Sequence, residues 1–415
     1  MQKKSILYRY SFHQSFHWLT VGLIIPVMTL LQIEKGLNLF QVGITAAAYS
    51  GAVLLMELPT GGLADAIGRR KVYSISLLIS LGALGVLLFA RSFPLIFISL
   101  FLLGISRALS SGTVDAWFVD ELLYADPEID LHQYQAKAGI FLPAGVAGGT
   151  LLGGIIPRVF GGFFQNSTPF GTYGSSIVFQ AAAVCIQVLL TSLLIHETAP
   201  HKKTNFRTGL KEVPQILKHA VTYGIRNRNI FLFLISMGIF GFGLAGIEQF
   251  WQPRIKTILG DSFNTILLGL ISTGYFLAAS AGNLIAIPLG RGMKHRHTLI
   301  LFLTRLSLGF FLLLLSFTAK TSGFVVFYIT LFTFNGIGSP SEQTFFNMNI
   351  PSDKRSSLLS LLSLFLQAGG VFGLLTQGYI AEHNSIQSAW FVGAVVLILS
   401  SVLFLFIRER GVTAK

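Results

Sequence analysis

Six ionisable side chains interrupt the long apolar segments of this 415-residue chain. A charged group inside a hydrocarbon environment is costly, so each such residue is a candidate for function by default. A carboxyl removed from water binds a proton more readily, and it releases that proton when a cation approaches or water enters. The chemistry that these residues predict is therefore reversible proton binding. They are Glu57, Arg107, Asp115, Glu248, Arg305 and Glu342.

Asp115 and Glu57 are the leading candidates to carry protons, because both lie well inside apolar segments. Arg107 is a candidate counter-ion that would bias their release of protons. It is roughly 12 Å from Asp115 along a helix, so it is not a simple partner on the same helix. Glu342 and His17 complete the predicted proton-coupling set. The alternatives are a Glu57 carboxyl that satisfies backbone freed by a nearby proline and a His17 that only packs.

A second set of polar side chains is predicted to orient a ligand. Nothing in their types or spacing identifies that ligand. Glu248 has an interfacial alternative, because it lies near the outer end of an apolar segment drawn over 230–250. Arg305 is expected to snorkel to the membrane surface or to form a structural pair. The predicted substrate-binding residues are Glu248, Tyr275, Asn283, Asn335 and Gln367.

The elements that must hold these residues are membrane helices. Hydrophobic residues make up 52% of the chain, charged residues only 11%, and the mean hydropathy is +0.68. About 20 apolar residues cross a bilayer as one helix, and the chain has room for twelve such segments. The sequence predicts an all-α membrane protein of two pseudo-symmetric six-helix bundles, 1–200 and 230–415. Residues 201–229 are predicted to form a cytoplasmic linker with an amphipathic helix, or else a plain linker helix.

The basic residues predict the orientation of the chain, because Lys and Arg in short loops stay on the cytoplasmic side. Of the 30 Lys and Arg residues, 22 fall on the side shared by both termini and 6 on the other. Both termini are therefore predicted to be cytoplasmic. The same asymmetry explains the net charge of +13 without a nucleic-acid partner. Cys185 is the single cysteine, which excludes an intramolecular disulfide and a cysteine metal cluster, and no cofactor or metal is expected.

The loop between the second and third segments carries a family resemblance. Its sequence, Gly61-x-Leu63-Ala64-Asp65-x-x-Gly68-Arg69-Arg70-Lys71, resembles the signature loop of the major facilitator superfamily. The resemblance implies that Asp65 faces the start of the eleventh segment and that Arg69 pairs with an acid at the end of the fourth. These contacts would hold the halves together in one state of a transport cycle. The implied gating residues are Gly61, Asp65, Gly68, Arg69, Arg70, Asp120 and Glu121.

A glycine-rich stretch in the fifth segment carries a second resemblance. Gly145, Gly149, Gly153 and Gly154 are similar to the motif of the drug:proton antiporter branch of that superfamily, with Thr150 where a proline is usual. The alternative is that glycines three and four residues apart simply allow helices to pack closely.

Together these resemblances imply a secondary active transporter. The expected activity is proton-coupled efflux of small amphipathic or drug-like molecules, by a monomer in the inner (plasma) membrane. An importer or facilitator of a small polar nutrient and a non-transporting receptor or scaffold remain as alternatives. An enzyme is not expected, because the sequence has no phosphate-binding loop, metal cluster or nucleophile constellation.

Overall fold

The computed structural model describes residues 2–139, 141–198, 221–293, 296–351 and 354–407, except the side chains of residues 2, 57–62, 65, 132, 136 and 356. Its elements in this part of the chain are helices. Eleven of them are long and apolar enough to cross a membrane, and the interrupted first helix completes a set of about twelve spans. The predicted all-α membrane class is confirmed.

The spans are numbered in chain order. Spans 1 to 6 comprise Gln2–Gly22 with Met28–Glu34, Leu39–Ile67, Arg69–Phe89, Phe93–Ser110 with Thr113–Ala125, Phe141–Ser167, and Gly174–Leu194. A short helix, Leu131–Gly139, precedes span 5. Spans 7 to 12 are Arg228–Leu259, Thr265–Gly292, His297–Phe317, Thr321–Asn349, Arg355–His383, and Ile386–Ser401 with the 3-10 turn Val402–Phe406.

Three spans differ from the sequence-based expectation: spans 1 and 4 are interrupted, and span 7 is longer than predicted. Span 1 loses its helix over residues 23–27, where Pro26 cannot donate a backbone hydrogen bond. Span 4 is broken at Gly112, whose positive φ of 67° suits a residue without a side chain. Span 7 instead continues through Pro253 to Leu259, well beyond the predicted end at residue 250. A proline is tolerated in a membrane helix when nearby groups satisfy the freed backbone.

The chain divides into two compact units. The first contains Met1–Asn38, Ala48–Val213 and Phe263–Thr273. Its helices pack through small buried clusters, one formed by Leu23, Ile156 and Ala183 and another by Ala64, Val72 and Leu109. Lipid is as apolar as these side chains, so close packing and interhelical hydrogen bonds hold the unit together.

The second unit contains Leu39–Ala47, Pro214–Ser262 and Gly274–Lys415. The first turns of span 2 pack here against span 11, where the Gly43 backbone approaches Leu374 and Gly378 closely. The indole of Trp390 is fully buried and donates to the Gly246 carbonyl at 3.0 Å. The predicted linker lies mostly outside the described residues, with only 221–226 seen as helix, so the predicted domain limits and amphipathic helix stay predictions.

Candidate functional site

The break in span 4 creates the site around Asp115. Gly112 ends the first half of the span in a left-handed conformation, and a new helix begins at Thr113. Asp115 therefore lies in the first turn of a helix, where backbone N–H groups favour negative charge. The carboxylate is held at a helix start within the span instead of in a continuous helix.

Two side chains of span 1 donate to the same oxygen of Asp115. The Tyr10 hydroxyl lies 2.5 Å from Asp115 Oδ1, and the Gln14 amide nitrogen lies 2.9 Å from it. Tyr10 is itself fixed by stacking on Phe118, with ring centroids 4.1 Å apart. No described residue donates a hydrogen bond to the second oxygen, Oδ2. One half of the carboxylate is thus tied to span 1 and the other half is available.

The free side of Asp115 lines a pocket of about 360 Å³ inside the first unit. The side chain is exposed, so the expectation of a carboxyl removed from water is wrong for this residue. The break at Gly112 opens the helix there, and the pocket gives the carboxylate access to water. Its wall includes Tyr10, Gly112, Asp115, Phe118, Gln135 and Leu142.

Arg107 is not the ion-pair partner of Asp115. Its guanidinium carbon lies 5.5 Å from the centroid of the Trp18 ring, and it makes no salt bridge with another described residue. The cation is therefore balanced by an aromatic face. Its predicted role as a switchable counter-ion stays a prediction, because the side chain of Glu57 lies outside the described residues.

His17 belongs to a buried hydrogen-bonded chain across spans 1, 3 and 6. His17 Nδ1 lies 2.9 Å from the Tyr73 hydroxyl, and the Gln187 amide donates to that hydroxyl at 3.2 Å. The same amide nitrogen lies 2.9 Å from His13 Nε2, which contacts the Thr191 hydroxyl at 3.0 Å. The chain ties three helices together, and a role for His17 in proton coupling stays a prediction.

The second unit holds the ion pair of Arg305 and Glu342. Arg305 Nη2 lies 2.9 Å from Glu342 Oε1, and the Arg305 side chain is only 1% exposed. The guanidinium carbon also lies 3.7 Å from the Phe240 ring centroid. Snorkelling is therefore wrong for Arg305, because an acid and an aromatic face inside the unit compensate its charge. Of the two expectations, the structural pair is the one observed.

At the signature loop, Arg69 Nη2 lies 2.8 Å from Asp120 Oδ2. The next residue, Arg70, lies in the first turn of span 3. Its backbone N–H donates at 2.5 Å to Oε1 of Glu197, which follows span 6. Gly68 has a φ of 102° at this turn. Glu121 accepts a hydrogen bond from the Thr198 backbone N–H at 2.6 Å.

The gating role of this loop stays a prediction. The surroundings of Gly61 and the side chain of Asp65 lie outside the described part of the chain. Ser352 and Asp353, just before span 11, also lie outside it. Beyond the loop, Lys3 Nζ lies 2.5 Å from Asp126 Oδ2. This hydrogen bond lowers the pKa of Asp126 on the loop after span 4. Both side chains are partly exposed, and such pairs contribute little.

The glycine-rich stretch of span 5 packs against span 1. A side chain at Gly145, Gly149 or Gly153 would meet the backbone carbonyls of Ser15, Leu19 and Leu23 respectively. Gly154 faces the first residues of span 8, where the Thr265 hydroxyl donates to its carbonyl at 2.7 Å. Thr150, in the place of the usual proline, bonds the Thr273 hydroxyl at 2.8 Å. Close helix packing is observed, and the antiporter interpretation stays a prediction.

The predicted ligand-binding residues do not form one described cluster. Asn283 is exposed, and Asn335 and Gln367 are half-buried; none forms a side-chain hydrogen bond with another described residue. Glu248 is exposed but not near a helix end, because span 7 continues eleven residues beyond it, about 16 Å. Tyr275 packs its ring edge on Phe332 with centroids 4.1 Å apart.

Sequence reasoning missed the partners of the site. Tyr10 and Gln14 are four residues apart and lie on one face of span 1. This spacing indicates a shared partner only when an acid is known to face that side of the helix. Tyr73 and Gln187 are single polar residues in apolar helices and give no signal of pairing with His13. Glu197 follows span 6 closely, and its place in the sequence gives no signal that it contacts the start of span 3.

Comparison with known proteins places this geometry in a family. The profile of the Major Facilitator Superfamily matches residues 11–266 and 250–415. The chain is 21% identical over 408 residues to the uncharacterized MFS-type transporter YxaM of Bacillus subtilis (strain 168), covering 98% of this chain and 96% of that one. It is 25% identical over 392 residues to Multidrug resistance protein 1 of the same organism, covering 92% and 91%.

Solved structures share the fold. The nucleoside transporter NupG superposes with a TM-score of 0.78 at 14% identity, covering 97% of this chain and 98% of that one. A bacterial homolog of the human lysosomal transporter Spinster superposes with a TM-score of 0.75 at 12% identity, covering 98% and 97%. These findings indicate a transporter of small molecules and not an enzyme. The chain belongs to the Major Facilitator Superfamily.

Proposed function

We propose that this transporter exports small amphipathic compounds in exchange for protons. The observation that supports the proposal is the Asp115 carboxylate, which combines a fixed oxygen with a free oxygen in an open pocket. The similarity to Multidrug resistance proteins 1 and 2 of Bacillus subtilis supports the export of such compounds. The protein is proposed to work as a monomer in the cell's inner membrane.

Asp115 provides the proton step. Donation from Tyr10 and Gln14 stabilises the carboxylate at Oδ1, and a proton entering the pocket binds at Oδ2. Protonation removes the charge and weakens both hydrogen bonds to span 1. The contact between spans 1 and 4 is thus coupled to the proton, which is what an exchanger requires for its two states to differ in proton affinity.

The proposal is tested by proton-gradient-driven uptake of fluorescent lipophilic compounds into everted membrane vesicles. Asp115→Asn is expected to abolish gradient-driven uptake, and Tyr10→Phe to reduce it, because Oδ1 loses a donor. Glu57→Gln tests the second predicted carrier. Glu128→Gln is the matched control, because Glu128 is an exposed acid on the following loop, and its uptake is expected to equal that of the parent.

Undiminished gradient-driven uptake in Asp115→Asn and Glu57→Gln would contradict the assignment of the carriers. Accumulation of a polar nutrient in intact cells, with no export of any amphipathic compound, would favour the importer instead. Absence of flux for every compound under every gradient would favour a receptor or scaffold.

A further inference from the structure

Glu248 is an unpaired acid in the middle of span 7. It lies about 16 Å from the outer end of this helix. Its side chain is exposed, and no described residue donates a hydrogen bond to it or pairs with it as a cation. An ionisable group at this depth is costly and needs a partner. The other acid of the second unit's spans that the structure describes at similar depth, Glu342, has its partner in Arg305.

Aromatic rings lie one helical turn from this carboxylate. Trp251 follows Glu248 by three residues on the same face of span 7 and packs on Tyr328 of span 10, whose ring lies 6.4 Å from that of Tyr275 of span 8. Tyr328 is 2% exposed and its ring packs against Trp251 at 5.6 Å and Phe332 at 4.9 Å. These buried rings form a rigid wall.

Tyr275 is the half-buried member of this aromatic group. Its ring meets Phe332 edge-on at 4.1 Å and contacts Phe276 at 4.3 Å. The packing leaves the ring little freedom to move, and part of the ring stays exposed. All of these residues belong to the second compact unit.

We propose that Glu248 and Tyr275 form a binding subsite for a lipophilic organic cation, such as a quaternary ammonium group. The inference rests on the proposed export function for its physiological role, and it names the class of substrate. A carboxylate supplies the opposite charge, the face of an aromatic ring attracts a cation, and the apolar wall accepts the hydrocarbon part of the molecule.

The chemistry of the subsite argues against an inorganic cation. Na⁺, Mg²⁺ and Ca²⁺ prefer several oxygen ligands in a defined geometry, whereas the group packed one turn beyond Glu248 consists of the rings of Trp251, Tyr328 and Tyr275. A cation with methyl or aryl substituents does not need such ligands, because it is weakly hydrated and binds well to apolar surface. The charge of a Glu248 carboxylate disfavours an anion.

The test is equilibrium binding of phenylbutyltrimethylammonium to the purified full-length protein in detergent, without a proton gradient. The comparison ligand is the uncharged isostere in which carbon replaces the quaternary nitrogen, and binding to empty micelles is subtracted. Glu248→Gln is expected to weaken binding of the cation at least tenfold and to leave the isostere within about twofold. Tyr275→Leu is expected to weaken the cation about fivefold or more, and Tyr275→Phe, which keeps the ring, to retain most of the affinity.

Matched controls exist in the same unit. Asp261→Asn removes an exposed acid after span 7, and Phe391→Leu removes an exposed ring; both should bind like the parent. Gel filtration and the thermal midpoint verify that every variant is folded. Should Tyr275→Leu fail to fold, the Glu248→Gln and Tyr275→Phe pair carries the test.

Equal affinity of the parent for the cation and its isostere would overturn the subsite, as would unchanged cation binding in Glu248→Gln. This result is independent of proton coupling. Asp115→Asn is expected to bind the cation with parental affinity while it loses gradient-driven uptake. Cation binding that depends on Glu248 in a protein without proton-driven export would support the subsite and contradict the proposed function alone.

Discussion

A charged side chain inside a membrane helix behaves according to its partner, and the described acids in the spans differ in this respect. Glu342 is paired with a buried arginine, whereas Asp115 and Glu248 have exposed oxygen atoms with no cationic partner in the described part of the chain. Hydrogen-bond donors fix Asp115, and Glu248 lies one turn before Trp251, whose ring packs on Tyr328. The sequence shows all three as intramembrane acids, but only their neighbours separate a structural role from an exchangeable one.

The pair of Arg305 and Glu342 is predicted to be structural. Glu342→Gln leaves the Arg305 guanidinium buried without its counter-ion and should lower the free energy of unfolding by about 3 kcal/mol. The double variant Arg305→Leu/Glu342→Leu removes both charges and should recover much of that loss. Thermal unfolding of the purified variants in detergent measures both effects. Parental stability in Glu342→Gln, together with lost proton-driven uptake, would instead assign Glu342 to proton coupling.

At the scale of a helix, small residues decide which faces meet. Gly149 of span 5 faces the Leu19 carbonyl and lies close to Gly22 of span 1. Gly149→Val is predicted to separate the two helices and to destabilise the first unit by about 1–3 kcal/mol, the usual cost of overpacking. Gly148→Val is the matched control, because a side chain there meets no atom within 4 Å.

Fluorescence-detected gel filtration with a thermal ramp compares the two glycine variants. The Gly149 variant should give less monodisperse protein and a lower midpoint, while the Gly148 variant should match the parent. Equal behaviour of both would mean that the two helices can relax apart without loss, and the packing interpretation of the motif would be wrong.

Hydropathy predicts the number of spans but not their internal breaks. A run of apolar residues indicates a helix long enough to cross the bilayer, and eleven described helices satisfy that criterion. It does not distinguish Pro253, where the helix continues, from Pro26, where it stops. Neighbouring helices and hydroxyls decide whether freed backbone groups are satisfied. The site at Asp115 depends on such a local decision at Gly112, so its position in an apolar segment was predictable and its exposure was not.

At the scale of the whole molecule, the distribution of basic residues predicts which loops face the cytoplasm. The loops assigned to the terminal side carry 22 of the 30 Lys and Arg residues, and such residues resist translocation. Loops after spans 4 and 6 are therefore expected inside, and loops after spans 5 and 7 outside. The exposed residues Glu128, Thr198 and Asp261 lie in the loops after spans 4, 6 and 7, and the exposed Asn166 lies in the last turn of span 5, beside the loop that follows it.

Single-cysteine labelling tests this topology. Cys185 is exposed, so it is first replaced by Ala, and one cysteine is then placed at each of the four positions. A membrane-impermeant maleimide should label Asn166→Cys and Asp261→Cys in intact cells, because their loops face outward. Glu128→Cys and Thr198→Cys should react only after permeabilisation. The reverse pattern would place the termini outside. The proton pocket at Asp115 would then open to the opposite compartment, and the proposed direction of transport would have to be inverted.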